Sequence, residues 1–165
     1  MRRLWLNQQG ITIVELVLAI VIIGVGLVAL SSAIPIAAYG IQEGNQLSTA
    51  TFLANQRLEQ VRNSQWRATP AVDTLGLSAS GTSAPVGAGG AVTFPDETPM
   101  AAPFGGYSRV VRISSCGVAP GCSGVQDAGL RQVTVTVSYQ PMTGIGVAPA
   151  TTSKSAIVTM YIAQR

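Results

Sequence analysis

Three side chains in this sequence could do chemistry by virtue of their position. Glu15 is a lone carboxylate near the start of an apolar run, GITIVELVLAIVIIG at residues 10–24. An ionised carboxylate in a membrane helix costs roughly 2–3 kcal/mol at mid-depth and less near the end, where it reaches the interface. Ordinary export signals and anchors avoid such a charge. Cys116 and Cys122 enclose Gly-Val-Ala-Pro-Gly, a stretch of turn formers. Five residues separate the thiols where redox pairs have two. Without histidine or a second thiol pair they cannot complete four metal ligands. Export past a membrane would favour a disulfide, a structural staple whose loop closure contributes about 2 kcal/mol.

What is missing narrows the chemistry further. The chain has no histidine, which removes the commonest general base and the commonest transition-metal ligand. It also lacks a Gly-rich phosphate motif and a run of closely spaced carboxylates, so no catalytic residue, cofactor or metal site is assigned and a non-enzymatic role is expected. The net charge of +3 includes Arg2 and Arg3. Of the remaining basic residues only Arg57, Arg62 and Arg67 are grouped, which is thin support for a nucleic-acid surface.

The elements that must position these residues follow from composition. The 165 residues are 47% hydrophobic and 10% charged, far below the charge content of about 25% in soluble domains. The deficit is concentrated, since no Asp, Glu, Lys or Arg occurs between Leu16 and Gln42. Residues 11–34 would make about 36 Å of helix, enough to cross a hydrocarbon core of about 30 Å. Pro35 should kink or interrupt it. Leu47, Ala50, Ala54, Leu58 and Val61 then line one helical face, opposite Gln56, Glu59 and Asn63, with Asn45 as a candidate N-cap. Tyr39-Gly40 and Glu43-Gly44 are soft points, so one long bent helix and two helices are both open.

Residues 68–106 carry seven glycines, five prolines and only three charges, Asp73, Asp96 and Glu97. No helical period survives there, and pieces such as Ala91–Phe94 could form brief strands at most. Long loops of this kind are usually functional or mobile. The last third alternates with period two. Val133, Val135, Val137 and Tyr139 share a face of Leu130–Gln140; Ala156, Val158, Met160 and Ile162 share a face of Ser155–Ala163; Tyr107–Ser114 is a third strand. Consecutive strands joined by the Gly- and Pro-rich connection after Gln140 make an antiparallel meander whose apolar face wants a cover. The helical stripe at Leu47–Val61 supplies one. The expected fold is α+β: a long N-terminal hydrophobic helix continuing into an amphipathic helix packed on a small antiparallel sheet.

A basic tip before an apolar run admits three readings. One is a secretory signal cut near Ser31–Ala33 or Ala37–Ala38. Another is a plain single-span anchor. Both leave Glu15 without a role. The third rests on Gly10-Ile11-Thr12-Ile13-Val14-Glu15 followed by Leu16–Gly24, which resembles the class III signal of type IV pilins and type II secretion pseudopilins. That resemblance implies cleavage between Gly10 and Ile11 by a prepilin peptidase, N-methylation of Ile11, and retention of the apolar helix. Glu15 becomes the fifth mature residue and an assembly contact. The chain departs from the family pattern in having Ile rather than Phe after the cut, and Gln8-Gln9 where a basic residue is usual. Arg2 and Arg3 still satisfy the cytoplasmic-positive tendency, because residues 35–56 contain no Lys or Arg.

Ala54–Arg62 and the strands around Arg131–Val137 and Ile157–Ile162 resemble PilV-like minor pilins in particular. The implied layout is a leader (1–10), a transmembrane or filament-core helix (11–34), its amphipathic half (35–67), a variable region (68–106), and a sheet with a disulfide loop (107–165). The implied partners are other pilin subunits, the prepilin peptidase, the inner-membrane assembly platform and ATPase, and lipid before assembly. The implied location is the inner membrane with the C-terminal domain in the periplasm, then a periplasmic or cell-surface filament. A tip adhesin or DNA-binding module built on residues 68–106, and an ordinary exported or anchored domain, are the alternatives.

Overall fold

A computed structural model describes residues 10–118, 122–141 and 153–165. Arg2, Arg3, most of the connection after Gln140 and the middle of the cysteine loop lie outside the described residues. Among the described residues one helix, α1 (Ile13–Arg62), is followed by five strands: β1 (Trp66–Arg67), β2 (Val72–Asp73), β3 (Tyr107–Ser115), β4 (Leu130–Tyr139) and β5 (Lys154–Ala163). At 1.5 Å per residue, the 50 residues of α1 extend about 75 Å.

The helix starts at Thr12, whose extended backbone and Oγ1 make it the N-cap, and it ends at Asn63, whose N–H returns to the Glu59 carbonyl. Of the two outcomes expected at Pro35, a kink or an interruption, the interruption does not occur, and α1 runs through it. Proline removes one N–H and disfavours the preceding turn by about 3 kcal/mol. In apolar surroundings, breaking the helix would orphan several backbone groups at several kcal/mol each, so continuing is the cheaper solution. Ser31 and Ser32, just before the proline, turn their hydroxyls back onto the Leu27 and Ala29 carbonyls at 2.8 Å. Asn45 is likewise not an N-cap. It lies inside α1, where its carbonyl accepts the Thr49 hydroxyl at 2.9 Å.

β3, β4 and β5 form an antiparallel meander in that spatial order. Tyr107 pairs with Tyr139 and Ser115 with Arg131, while Leu130 pairs with Ala163 and Tyr139 with Lys154. Period-two alternation sends Val111, Ile113, Val133, Val135 and Val137 inward, each at most 1% exposed. Against them α1 buries Ala50, Leu53, Ala54, Leu58 and Val61. The helical stripe is therefore shifted from the expected one. Leu47 is 47% exposed and Leu53 is fully buried, because in the turns before Ala50 the covered face carries Tyr39, Glu43 and Gln46, which are half-buried.

The Gly- and Pro-rich segment 68–106 is packed rather than loose. It contributes β2, which pairs with β1, and it inserts Leu75, Phe94 and Met100 into the core. It also covers the outer edge of β3, through Ser78 N–H to the Ile113 carbonyl at 2.8 Å and through reciprocal Glu97–Arg109 backbone bonds at 2.9 Å. Gly76 is required where the segment turns back. Its φ is +77°, and a Cβ there would stand 2.7 Å from the Val86 backbone.

Candidate functional site

From Ile11 to Ile41 every isoleucine, leucine and valine of the helical arm is exposed. Each such side chain forgoes about 1.5–3 kcal/mol by remaining in water. Together they exceed the 5–15 kcal/mol that holds a typical domain together. A surface of this extent therefore belongs in lipid or against other apolar helices. The α1 sequence is long and apolar enough to cross a membrane, and the apolar stretch is unburied by the rest of the chain.

Glu15 sits in the first turn of this arm, and its N–H donates to Thr12 Oγ1 at 3.3 Å. Thr12 and Glu15 thus occupy the N-cap and N3 positions of a capping-box pattern. Only the Thr12 half is formed. The Glu15 carboxylate is exposed and makes no hydrogen bond or ion pair among the described residues. Gly10 and Ile11 precede the N-cap in non-helical, exposed backbone. Thr12 is the local device that the sequence reading missed, although Thr-x-x-Glu before an apolar run is its signature.

The next charge along α1 is Glu43, where the arm meets the folded domain. Its Oε1 accepts from Lys154 Nζ at 2.7 Å and from the Tyr139 hydroxyl at 3.2 Å. Burial, the Glu43 charge and the hydrogen bond to it raise the Tyr139 pKa. Two strands are thereby tied to the helix just beyond its exposed arm.

Arginine forks attach segment 68–106. Arg131 on β4 grips Asp73 with two bonds of 2.8 Å, donates to the Gly76 carbonyl at 3.2 Å, and stacks 4.1 Å from the Trp66 ring centroid. Arg112 on β3 grips Asp96 at 2.6 and 2.8 Å and reaches the Gly81 and Thr82 carbonyls at 3.1 and 2.9 Å. Glu97 is shared between Arg57 of α1 and Arg109 of β3. Arg109 also donates to the Leu53 carbonyl at 3.0 Å. All three charged residues of the segment are thus bound, each to an arginine from a regular element.

These contacts set the protonation of the carboxylates. Burial alone would raise Asp73, but hydrogen bonds from Arg131 and from the Gly76 and Leu75 N–H groups, with the Arg131 charge, hold it below the ordinary value. Asp96 is held low by the Arg112 hydrogen bond and charge, against a smaller effect of burial. Burial and the nearby Arg57 charge lower Arg109, and Glu97 offsets part of this. With Arg57 turned onto Glu97 and Arg62 onto Glu59, the grouping of arginines seen in the sequence does not form a continuous basic track.

Cys116 and Cys122 form a disulfide with Cα atoms 4.6 Å apart, on the connection between β3 and β4. Gly117 allows the chain to pass close to the turn that leads into β4, since a Cβ there would lie 2.4 Å from Ala128 Cα. Among the described residues no group of three or more His, Cys, Asp or Glu side chains converges to hold a metal.

Residues 5–31 match the family model of the prokaryotic N-terminal methylation motif. The match covers residues 5–9, the Gly10–Glu15 stretch and most of the exposed arm, and the folded domain lies outside it. The chain thus carries a type IV pilin-like signal at its N-terminus. No curated protein and no solved structure matches this chain.

Proposed function

We propose that this protein is a minor pilin or pseudopilin, processed by a prepilin peptidase and held in the inner membrane by α1 until it enters a filament. The observation that carries the reading is Glu15, a single carboxylate one turn inside an uncovered apolar helix whose sequence matches the methylation motif. Cleavage between Gly10 and Ile11 frees an α-amine, charged at neutral pH, which is then methylated. In a staggered array the Ile11 amine of one subunit meets Glu15 of the next. Two charges that are each costly in an apolar core compensate one another when paired, and their pairing fixes the register.

The folded part supports the same role. Glu43, Lys154 and Tyr139 tie the domain to the helix immediately beyond the apolar arm, so the domain projects outward while the arm packs inside. The PilV-like subtype, the periplasmic placement of the domain, and partnership with the assembly platform and ATPase belong to this proposal. The Glu15→Ala variant tests it. The variant should be cleaved and membrane-inserted normally yet be excluded from purified filaments. Normal incorporation of that variant would refute the pairing.

A further inference from the structure

The β3–β4–β5 sheet ends differently at its two sides. The outer edge of β3 is covered by segment 68–106, through the Ser78 and Glu97 backbone bonds. β5 is the last strand on the other side. Gln164 N–H donates to the Gly129 carbonyl at 2.9 Å, and bonding alternates along an antiparallel ladder. Val158, Met160 and Ile162 therefore bond to β4, while Ser155, Ile157, Thr159, Tyr161 and Ala163 turn their N–H and C=O groups to the open edge. The next residue of that series, Arg165, gives its N–H to the Trp66 carbonyl at 3.0 Å. Among the described residues no other backbone group reaches this edge.

The side chains are left incomplete at the same place. Val133, Val135 and Val137 of β4 are fully buried. Val158, Met160 and Ile162, on the same face of β5, pack on the core yet are only half-buried. A cleft of about 270 Å³ opens beside them at Arg62 and Ile162. On the opposite face Ile157 and Tyr161 are 63% and 48% exposed. Open edges are ordinarily blunted by charge, proline or a bulge. Ser155–Gln164 holds no charge and no proline, and the pairing of β5 with β4 runs without a bulge. Lys154, at the start of β5, is turned onto Glu43.

We infer that β5 receives a β-strand from a different protein, an extended segment with alternating apolar side chains and no charge at its centre. A row of outward donors and acceptors at strand spacing matches a polypeptide backbone. One set of the incoming side chains extends the apolar floor beyond Val158, Met160 and Ile162, and the other set neighbours Ile157 and Tyr161. The edge offers no charge to pair with one. A second copy of this chain does not fit. Its β3 edge is covered, which leaves β5 against β5. α1 runs along β5, from Glu43 beside Lys154 to Arg62 beside Ile162. The two-fold that closes such a pair sets the strands antiparallel and so reverses one α1, and the two apolar arms then cannot enter one membrane. That step alone rests on the proposed anchoring.

The full chain in detergent micelles is mixed with the peptide acetyl-KTVTVTVTK-amide, and amide hydrogen exchange is followed by NMR. Without peptide, the Ile157, Thr159 and Tyr161 amides should exchange fast and those of Val158 and Met160 slowly. Protection of all five would overturn the open edge. Peptide at about ten times its Kd should slow the outward three about tenfold, and no slowing would overturn the proposal. The same peptide N-methylated throughout should do nothing, and an equal response to it would overturn backbone pairing. Thr159→Pro removes only an outward N–H, so it should abolish the response while the Val133–Val137 amides stay protected. An undiminished response would overturn the site. A stronger response to a helical peptide of alanine and leucine would overturn the strand, and a dimer of the chain that Thr159→Pro dissociates would overturn the choice of a different protein. None of these readouts needs cleavage or a filament, so they fail independently of the proposed function.

Discussion

Arg131 and Asp73 face one another through two parallel bonds of 2.8 Å across 58 positions of chain. The pair joins β4 to β2 and presses the guanidinium over Trp66. Breaking a buried pair by removing one partner leaves the other charge uncompensated. Arg131→Ala should therefore lower stability by about 3 kcal/mol. Arg131→Lys should lose most of it too, because an ammonium lacks the fork. Urea denaturation of the chain in micelles measures both, and a loss below about 1 kcal/mol for Arg131→Ala would contradict the clamp.

Asp73 and Asp96 both titrate below the ordinary carboxylate value. A carboxylate with a depressed folded pKa contributes stability above its unfolded pKa, and this is lost as the pH falls through the folded value. Stability should accordingly hold at neutral pH and decline below about pH 4. The Asp73→Asn and Asp96→Asn variants should each show a shallower acid slope than the parent in melts between pH 2 and 7. An unchanged slope in both would separate the clamps from acid sensitivity.

Glu97 neutralises two arginines, one from α1 and one from β3, and Arg109 is only 6% exposed. Glu97→Gln should open the edge of the domain locally, because the Glu97–Arg109 backbone pair depends on that carboxylate. Hydrogen exchange at the Glu97 and Arg109 amides should accelerate, while the Val133–Val137 amides at the centre of the sheet remain protected. Equal acceleration across both sites would indicate global destabilisation instead.

The Cys116–Cys122 bond closes a short loop beside β3 and β4. Reduction should lower stability by about 2 kcal/mol without unfolding the domain, as thermal melts with and without reductant would show. Gly117→Ala should hinder formation of the bond, because the added methyl meets Ala128. Free-thiol titration of that variant checks the point.

The fold class was legible because its signals are periodic. Alternation placed Val133, Val135, Val137 and Tyr139 on one buried face, and the ion-free run marked the uncovered arm. Leu53 and Leu47 exchanged roles because the stripe is nearly continuous in sequence, and only the position of the sheet decides which turn is covered first. Pro35 does not break α1 because its local penalty is set against the backbone groups a break would expose. The largest omission was segment 68–106. Its anchors are single residues, Asp73, Asp96 and Glu97, whose partners are 16 or more positions away, except for the 12-residue span from Glu97 to Arg109. Pairing at such separations leaves no local pattern. At the N-terminus, Glu15 and its spacing from Gly10 were visible at once, whereas the capping role of Thr12 emerged only from the backbone.

The central claim is that the chain is cut after Gly10 and keeps its apolar arm. Intact-mass and N-terminal fragment analysis of the protein purified from membranes of a host with a prepilin peptidase tests it directly. The account predicts a chain beginning at Ile11 and carrying one methyl group on its α-amine. A chain beginning near residues 34–39, or one that retains Met1–Gly10, would contradict it.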